Sequence, residues 1–371
     1  MRELSFLTAG ESHGPCLTAI IEGLPAGLKI DVEKIDRQLA RRQGGYGRGK
    51  RMEIEKDHAK ITSGVMSGRT TGAPVTIQID NKDWKNWQDR FEADDLAVIS
   101  VPRPGHADYA GMIKYGLSDA RPILERASAR ETAARVAIGS LAKQLLCEFG
   151  ISIGSYVQQI GSISAQIPDL PFDRLWKLAA ASDISSPDPA SEEQMKSQID
   201  QARENGDTLG GIFTVAATGV PVGLGTYSQW DNRLDGRLAQ AVMSIPAVKG
   251  VEIGSGFSNA AKPGHLVHDE ILPDGQRGVR RVTNRAGGIE GGISNGSAIV
   301  IRAAVKPIPT LLNPLSSTDL ATGRLSPATY QRSDVCVVPA AAVVGESMVA
   351  WIIAQATMDK YGGDSLAEMK R

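Results

Sequence analysis

The chain has little that would staple it covalently or carry it into a membrane. Its three cysteines (Cys16, Cys147, Cys336) are spread over 371 residues, an odd number at wide spacing that fits neither a disulfide framework nor a structural zinc site. The net charge is −1, so no global field draws nucleic acid or a membrane surface, and electrostatic recognition has to be local. No stretch approaches the roughly 20 apolar residues of a membrane span. Met1-Arg2-Glu3-Leu4 leads into no apolar run, so no secretory signal is expected. Aromatics make up 5% of the chain, with six phenylalanines, which leaves the core to aliphatic and small side chains. There is no linker composition, no internal repeat, and no Gly-x-Gly-x-x-Gly fingerprint of a dinucleotide site. The expectation is one domain in a reducing cytoplasm, with no metal, nucleic acid or membrane partner.

Forty glycines imply many tight turns between the elements that the patterning predicts. Asp31 is placed to cap a helix ending at Gly44-Gly45. Ser128 to Glu131 has a capping-box pattern opening a long helix, with Ile138, Leu141, Leu145 and Phe149 on one face and Gly150 past its end. A second such pattern, Ser191 to Gln194, opens a helix to about Asn205. Further helices are expected over 235–244 and 341–361, and strands over 75–79, 151–158, 211–218, 248–254 and 298–305. The irregular alternation predicts an α+β fold with antiparallel sheets rather than a doubly wound parallel sheet. Segments 80–95, 263–287 and 311–333 are expected to be mobile loops, with active-site coverings among them. For 80–95 a solvated insertion is an equal reading.

Two of the five histidines sit in glycine-flanked polar contexts, Gly10-Glu11-Ser12-His13-Gly14 and Arg103-Pro104-Gly105-His106-Ala107-Asp108. Small neighbours let backbone or ligand come close, and polar partners tune a side chain that titrates near neutrality. This is the pattern of an acid–base enzyme. Arg37 to Arg51 carries six cations and no acid, and its glycines and guanidinium groups suit an oxyanion. Gly44 to Arg51 follows most of a Walker A pattern. Arg51, however, stands where Ser or Thr would hold magnesium, and a helix precedes the loop, so a triphosphatase is set aside. An RNA-binding segment is set aside too, because the chain is neutral and the run holds one tyrosine.

Arg126 and Arg130 flank the Ser128 cap, which suits a phosphate as well as an ordinary surface helix. Gly287 to Gly296 is a second glycine-rich loop, fit for a flat or phosphorylated ligand, and Lys306-Pro307-Ile308-Pro309-Thr310 is a stiff cationic turn. Arg332 and Asp334 fall on one side of an extended segment, where the arginine would hold the carboxylate ionised. His265 and His268 lack the partners of a zinc site, His58 reads as exposed, and Trp84 and Trp87 read as isolated aromatics.

Eight of these pieces, in order, resemble the chorismate synthase family: Gly10–Gly14, Arg41-Arg42-Gln43 with Gly45–Arg48, Arg103–Asp108, Arg126–Thr132, Met243–Gly250, Asn284–Gly296, Lys306–Thr310 and Arg332–Cys336. The resemblance runs almost the whole chain. It implies a single-domain β-α-β sandwich and a homotetramer. It also implies an anti-1,4-elimination of phosphate and a ring proton from 5-enolpyruvylshikimate 3-phosphate, with reduced FMN as cofactor and no net redox change. By motif position, His13 is the general acid at the departing phosphate, His106 protonates or polarises the reduced flavin, and Asp334 assists removal of the ring proton. Arg126, Ala127, Ser128, Pro246, Ala247, Gly291, Lys306, Pro307, Ile308, Pro309, Thr310 and Arg332 line the flavin site, and Ser12 and Arg130 face the substrate. Arg42 and Arg48 face the substrate phosphate or, where the enzyme reduces its own flavin, NADPH.

Overall fold

Period-two burial builds the first sheet. Strand β2 (Cys16–Glu22) hides Leu17, Ala19 and Ile21, and β4 (Val75–Asp80) hides Val75, Ile77 and Ile79. With β1 (Ser5–Ala9) and β3 (Lys60–Ser63) they form an antiparallel sheet in the order β1-β2-β4-β3. This computed structural model describes residues 3–49, 54–92, 96–275 and 278–371. Lys50 and Arg51 of the basic run lie outside those residues, as do positions 93–95 and 276–277 of the expected loops.

The second sheet is also antiparallel. It runs β7 (Val248–Ile253), β8 (Ile299–Val305), β6 (Gly211–Thr218), β5 (Ser152–Ile160), with a two-residue edge at Ile163–Ser164. Helices fill the space between the sheets and also flank them. Numbered in chain order, those of eight or more residues are α1 (Val32–Gln43), α2 (Asp108–Tyr115), α3 (Thr132–Cys147), α4 (Phe172–Ala180), α5 (Pro189–Glu204), α6 (Leu234–Met243) and α7 (Val338–Tyr361). Helix α3 packs on β2 and β4, α7 packs on β5 and β6, and the two helices pack on each other. That stacking is the β-α-β sandwich, and the α+β class with antiparallel sheets is borne out.

Helix α7 is apolar all round because it is covered all round, as a core helix must be. Against the expectation that no stretch comes near a membrane span, it is long and apolar enough to cross one, yet 94% of its apolar window is buried inside the protein. The α3–α7 crossing is close enough to require a glycine, since a Cβ on Gly139 would lie 2.3 Å from the Ser347 Cβ. Glu346 is fully buried within this layer and accepts from Ser155 Oγ at 2.6 Å, from both terminal nitrogens of Arg41 at 2.7 and 2.8 Å, and from Lys143.

Several elements differ from expectation. Strands β1, β2 and β3 and helices α2 and α4 were not foreseen. Helix α5 starts at Pro189, capped by Asp188 rather than opened at Ser191, because the rigid φ of Pro189 suits the first helical position. Ser128 caps a 3-10 turn, Ala129–Glu131, that runs on into α3. Glu131 does not close a capping box; it accepts from Thr8 Oγ1 at 2.8 Å and pairs with Arg135 at 2.9 Å. The segments expected as loops hold short regular pieces: a 3-10 turn Lys82–Asn86, and hairpins Ile271–Pro273 with Val279–Arg281 and Ser316–Asp319 with Arg324–Pro327.

Candidate active site

The turn from β1 to β2 carries the first histidine. Gly10 enters it at φ 110°, and a Cβ there would meet the Cys16 carbonyl at 2.4 Å, so only glycine lets the chain reverse so tightly. His13 is buried at its tip. Its Nδ1 lies 2.8 Å from Glu125 Oε1, its backbone N–H donates to Glu125 Oε2 at 2.8 Å, and the Trp87 ring lies against it at 4.2 Å between centroids. Beside it, Ser128 Oγ and Ser12 Oγ are 3.0 Å apart.

Asn81 joins this turn to a buried cluster of arginines. Its Nδ2 donates to the Gly14 carbonyl at 2.8 Å, while its Oδ1 accepts from Arg130 Nε at 2.8 Å. Arg130 Nη1 holds both oxygens of Asp57 at 2.7 and 2.8 Å. Arg42, 3% exposed, comes only within 3.6 Å of Asp57, and among the described residues its Nε and Nη2 have no hydrogen-bond partner. Burial lowers its pKa to about 10; Asp57 opposes this, and the nearby Arg130 and Arg48 add to it. A buried cation short of acceptors is a place for an anion. Next to it, Arg48 Nη1 donates to Asp334 Oδ2 at 2.7 Å and the Gly49 amide donates to Oδ1 at 2.6 Å.

The second histidine stands in a separate network. His106 Nδ1 is 2.5 Å from Asp108 Oδ1, and Asp108 also accepts from Arg103 Nε at 2.8 Å. Burial pushes the Asp108 carboxyl up, but hydrogen bonds from His106 and Arg103, and their charge, outweigh it and hold it well below the usual carboxylate range. Arg103 Nη1 donates to Thr310 Oγ1 at 3.3 Å, Lys306 Nζ donates to the Gly105 carbonyl, and Ser333 Oγ donates to the Thr310 carbonyl at 3.1 Å. The stiff turn Lys306-Pro307-Ile308-Pro309-Thr310 thus ties the His106 loop to the segment that carries Asp334. The Lys306 amide donates to the carbonyl of Ala247 at 2.9 Å. Ala247 itself sits at φ 69°, a conformation that costs a non-glycine residue and that clusters at functional sites.

A groove of about 480 Å³ opens beside Ser128 and is lined by Phe6, Thr8, Arg126, Ala127, Ser128 and Pro246, among others. That volume lies within the range of small-molecule sites, roughly 300–1,000 Å³. The structure thus links His13, Ser12, Ser128, Arg130 and Arg42 by one run of contacts through Glu125, Asn81 and Asp57, and Arg48, Asp334, Thr310 and His106 by a second, with Arg42 feeling the charges of Arg48 and Asp334 between them. Three placements differ from expectation. Arg332 donates to Asp83 Oδ2 at 2.9 Å, so Arg48, not Arg332, holds Asp334. Arg126 and Arg130 do not converge at the Ser128 cap: Arg126 turns to the carbonyls of Thr8 and Gly10, and Arg130 turns inward to Asp57. Gly291 sits at φ 60° in the turn of a hairpin whose flanking residues bond to the 223–234 segment.

Glu125, Asp57, Asn81 and Asp83 had drawn no notice, and Trp87, read as isolated, lies on His13. Each finds its partner far along the chain, 112 positions for Glu125 and His13, so no local spacing marks it. His58 is exposed as expected and lies 3.1 Å from Asp36.

The family model for chorismate synthase matches residues 4–358. A chorismate synthase from Desulforudis audaxviator is 57% identical over 371 residues, covering 99% of this chain and 95% of that one. One from Geobacter metallireducens is 57% identical over 380 residues, covering 99% and 97%. A crystal structure of a chorismate synthase superposes with a TM-score of 0.81 at 44% identity, covering 100% of this chain and 96% of that one.

Proposed function

The chain belongs to the chorismate synthase family, and on that premise we propose how its residues divide the work. The reaction is the anti-1,4-elimination of phosphate and a ring proton from 5-enolpyruvylshikimate 3-phosphate, giving chorismate. It is a lyase step of aromatic amino-acid biosynthesis with no net redox change. A reduced flavin, when bound, supplies transient electron density to the substrate; we assign FMN as its form and NADPH as its source of hydride where the enzyme reduces it.

The groove beside Ser128 fits a flat ring, with Arg126, Ala127, Ser128 and Pro246 on its wall. Ala247 and the Lys306–Thr310 turn are joined by the Lys306 amide, and we assign them to the same ligand together with Gly291 and Arg332. Arg42, Arg48 and Arg130, with Ser12, take the substrate's phosphate and carboxylates. Arg42 supports this best, being buried with unused donors. His13 gives a proton to the departing phosphate, His106 hydrogen-bonds the cofactor, and Asp334, kept in place by Arg48, assists in removing the ring proton.

The observation that carries this division is Asn81, which bonds the His13 turn on one side and Arg130 on the other. It sets the acid beside the cations that a phosphate would meet. The 80–95 segment we read as a cover, because Trp87 lies over His13. A homotetramer is supported by large apolar side chains left exposed, Tyr227, Trp230, Phe257 and Leu325 among them. A reducing cytoplasm is supported by three free cysteines.

His13→Ala tests the division. Turnover is expected to fall roughly 100-fold or more, the worth of a general acid, while equilibrium titrations still show substrate and flavin bound. Near-normal turnover would contradict the assignment.

A further inference from the structure

Glu125 takes no part in the division above, yet its carboxylate is 3% exposed, and a buried carboxylate is costly unless it is paired. Both its oxygens go to one residue, Oε1 to the His13 ring and Oε2 to the His13 amide, each at 2.8 Å. The backbones are tied as well, with the Ser12 amide donating to the Glu125 carbonyl at 3.2 Å. Trp87 lies against the imidazole at an interplanar angle of 30°. The Trp87 face thus sets the plane of the ring and Glu125 sets its rotation within that plane.

An ionised carboxylate only accepts, so the hydrogen between the two sits on Nδ1. Nε2 is then the nitrogen that exchanges a proton with a ligand. Among the described residues, Glu125, on the short helix Arg121–Arg126, is the charged group bonded to the ring, with Glu11 of the same turn folded against Gly14 and Arg90 5.4 Å from the Trp87 centroid.

We propose that Glu125 is the positioning residue of His13: it fixes the ring with hydrogen on Nδ1, so that Nε2 is the proton donor to the leaving phosphate. As the ring C–O bond breaks, its electron pair leaves with the phosphate oxygen, and that oxygen takes the Nε2 proton. His13 becomes neutral, still hydrogen-bonded to Glu125, and regains a proton from solvent. The proposal rests on the assignment of His13 as general acid.

The test compares wild type, Glu125→Gln, Glu125→Asp and His13→Ala, using 5-enolpyruvylshikimate 3-phosphate and chemically reduced FMN across pH, with 15N spectra of the histidines. In Glu125→Gln, kcat should fall about ten- to hundredfold with KM little changed. The alkaline limb of its kcat profile should move down by about one pH unit, the effect of losing an adjacent opposite charge. Glu125→Asp should recover part of both. The wild-type spectrum should show His13 carrying hydrogen on Nδ1. A Glu125→Gln profile that keeps the wild-type shape at lower kcat would overturn the proposal, as would a neutral wild-type His13 with hydrogen on Nε2 alone. Should Glu125→Gln fail to fold, Glu125→Asp and the wild-type spectrum decide. Normal turnover in His13→Ala would remove the general-acid assignment, while the spectrum would still report the hold of Glu125 on the ring.

Discussion

Arg48 and Asp334 meet across 286 positions of chain, with Nη1 2.7 Å from Oδ2. Their side chains are 9% and 17% exposed, so solvent screens the pair little. The adjacent Gly49 amide takes the other oxygen, which leaves Asp334 one orientation.

Arg48→Gln should therefore act through Asp334 as well as on the substrate. We expect kcat/KM to fall roughly 100-fold, in keeping with the 2–5 kcal/mol lost when one partner of a buried ion pair is removed. Combined with Asp334→Asn, the losses should be less than additive by about 1 kcal/mol or more in a double-mutant cycle. Strict additivity would show that Arg48 serves the substrate alone.

Asp108 holds both the His106 ring and the Arg103 guanidinium that reaches Thr310. Asp108→Asn keeps the shape and removes the charge. Flavin should bind about tenfold more weakly, the size of one lost charge-assisted hydrogen bond, and turnover should fall with it. Titration of the variant with reduced FMN checks this, and wild-type affinity would contradict it.

Glu346 makes stability depend on pH. Burial pushes its carboxyl up, but Lys143 and Arg41 outweigh that and hold it well below the usual range. A folded-state value below the unfolded one adds stability at all pH above the ordinary carboxylate range, and that stability is lost as pH falls from there down through the lowered folded-state value. Urea unfolding of Glu346→Gln should show a loss of about 3 kcal/mol at neutral pH, since Lys143 and Arg41 lose their counter-charge, and a shallower decline below about pH 4. Parallel pH curves for wild type and variant would refute it.

The second sheet was legible because its strands are long apolar runs bounded by turn residues, Gly210 and Gly219 around Gly211–Thr218, Gly296 and Pro307 around Ile299–Val305. Helix α1 was legible for a similar reason, with Asp31 capping it and accepting from the Lys34 amide at 3.1 Å. The hairpin of β1 and β2 escaped notice although Leu17, Ala19 and Ile21 alternate, because the histidine turn between the strands reads as a site and not as a connection. Motif residues such as His13, His106 and Asp334 were visible as types in context. Their partners were not: Glu125, Asp57 and Trp87 owe their places to tertiary contacts, and the nearest arginine in sequence to Asp334 is not the one that pairs with it.

The most direct test is anaerobic turnover: purified protein with 5-enolpyruvylshikimate 3-phosphate and chemically reduced FMN, following phosphate release and chorismate absorbance together. Equal amounts of both products are expected, formed only when the flavin is reduced. Phosphate released without chorismate, or no turnover while reduced flavin is bound, would contradict it.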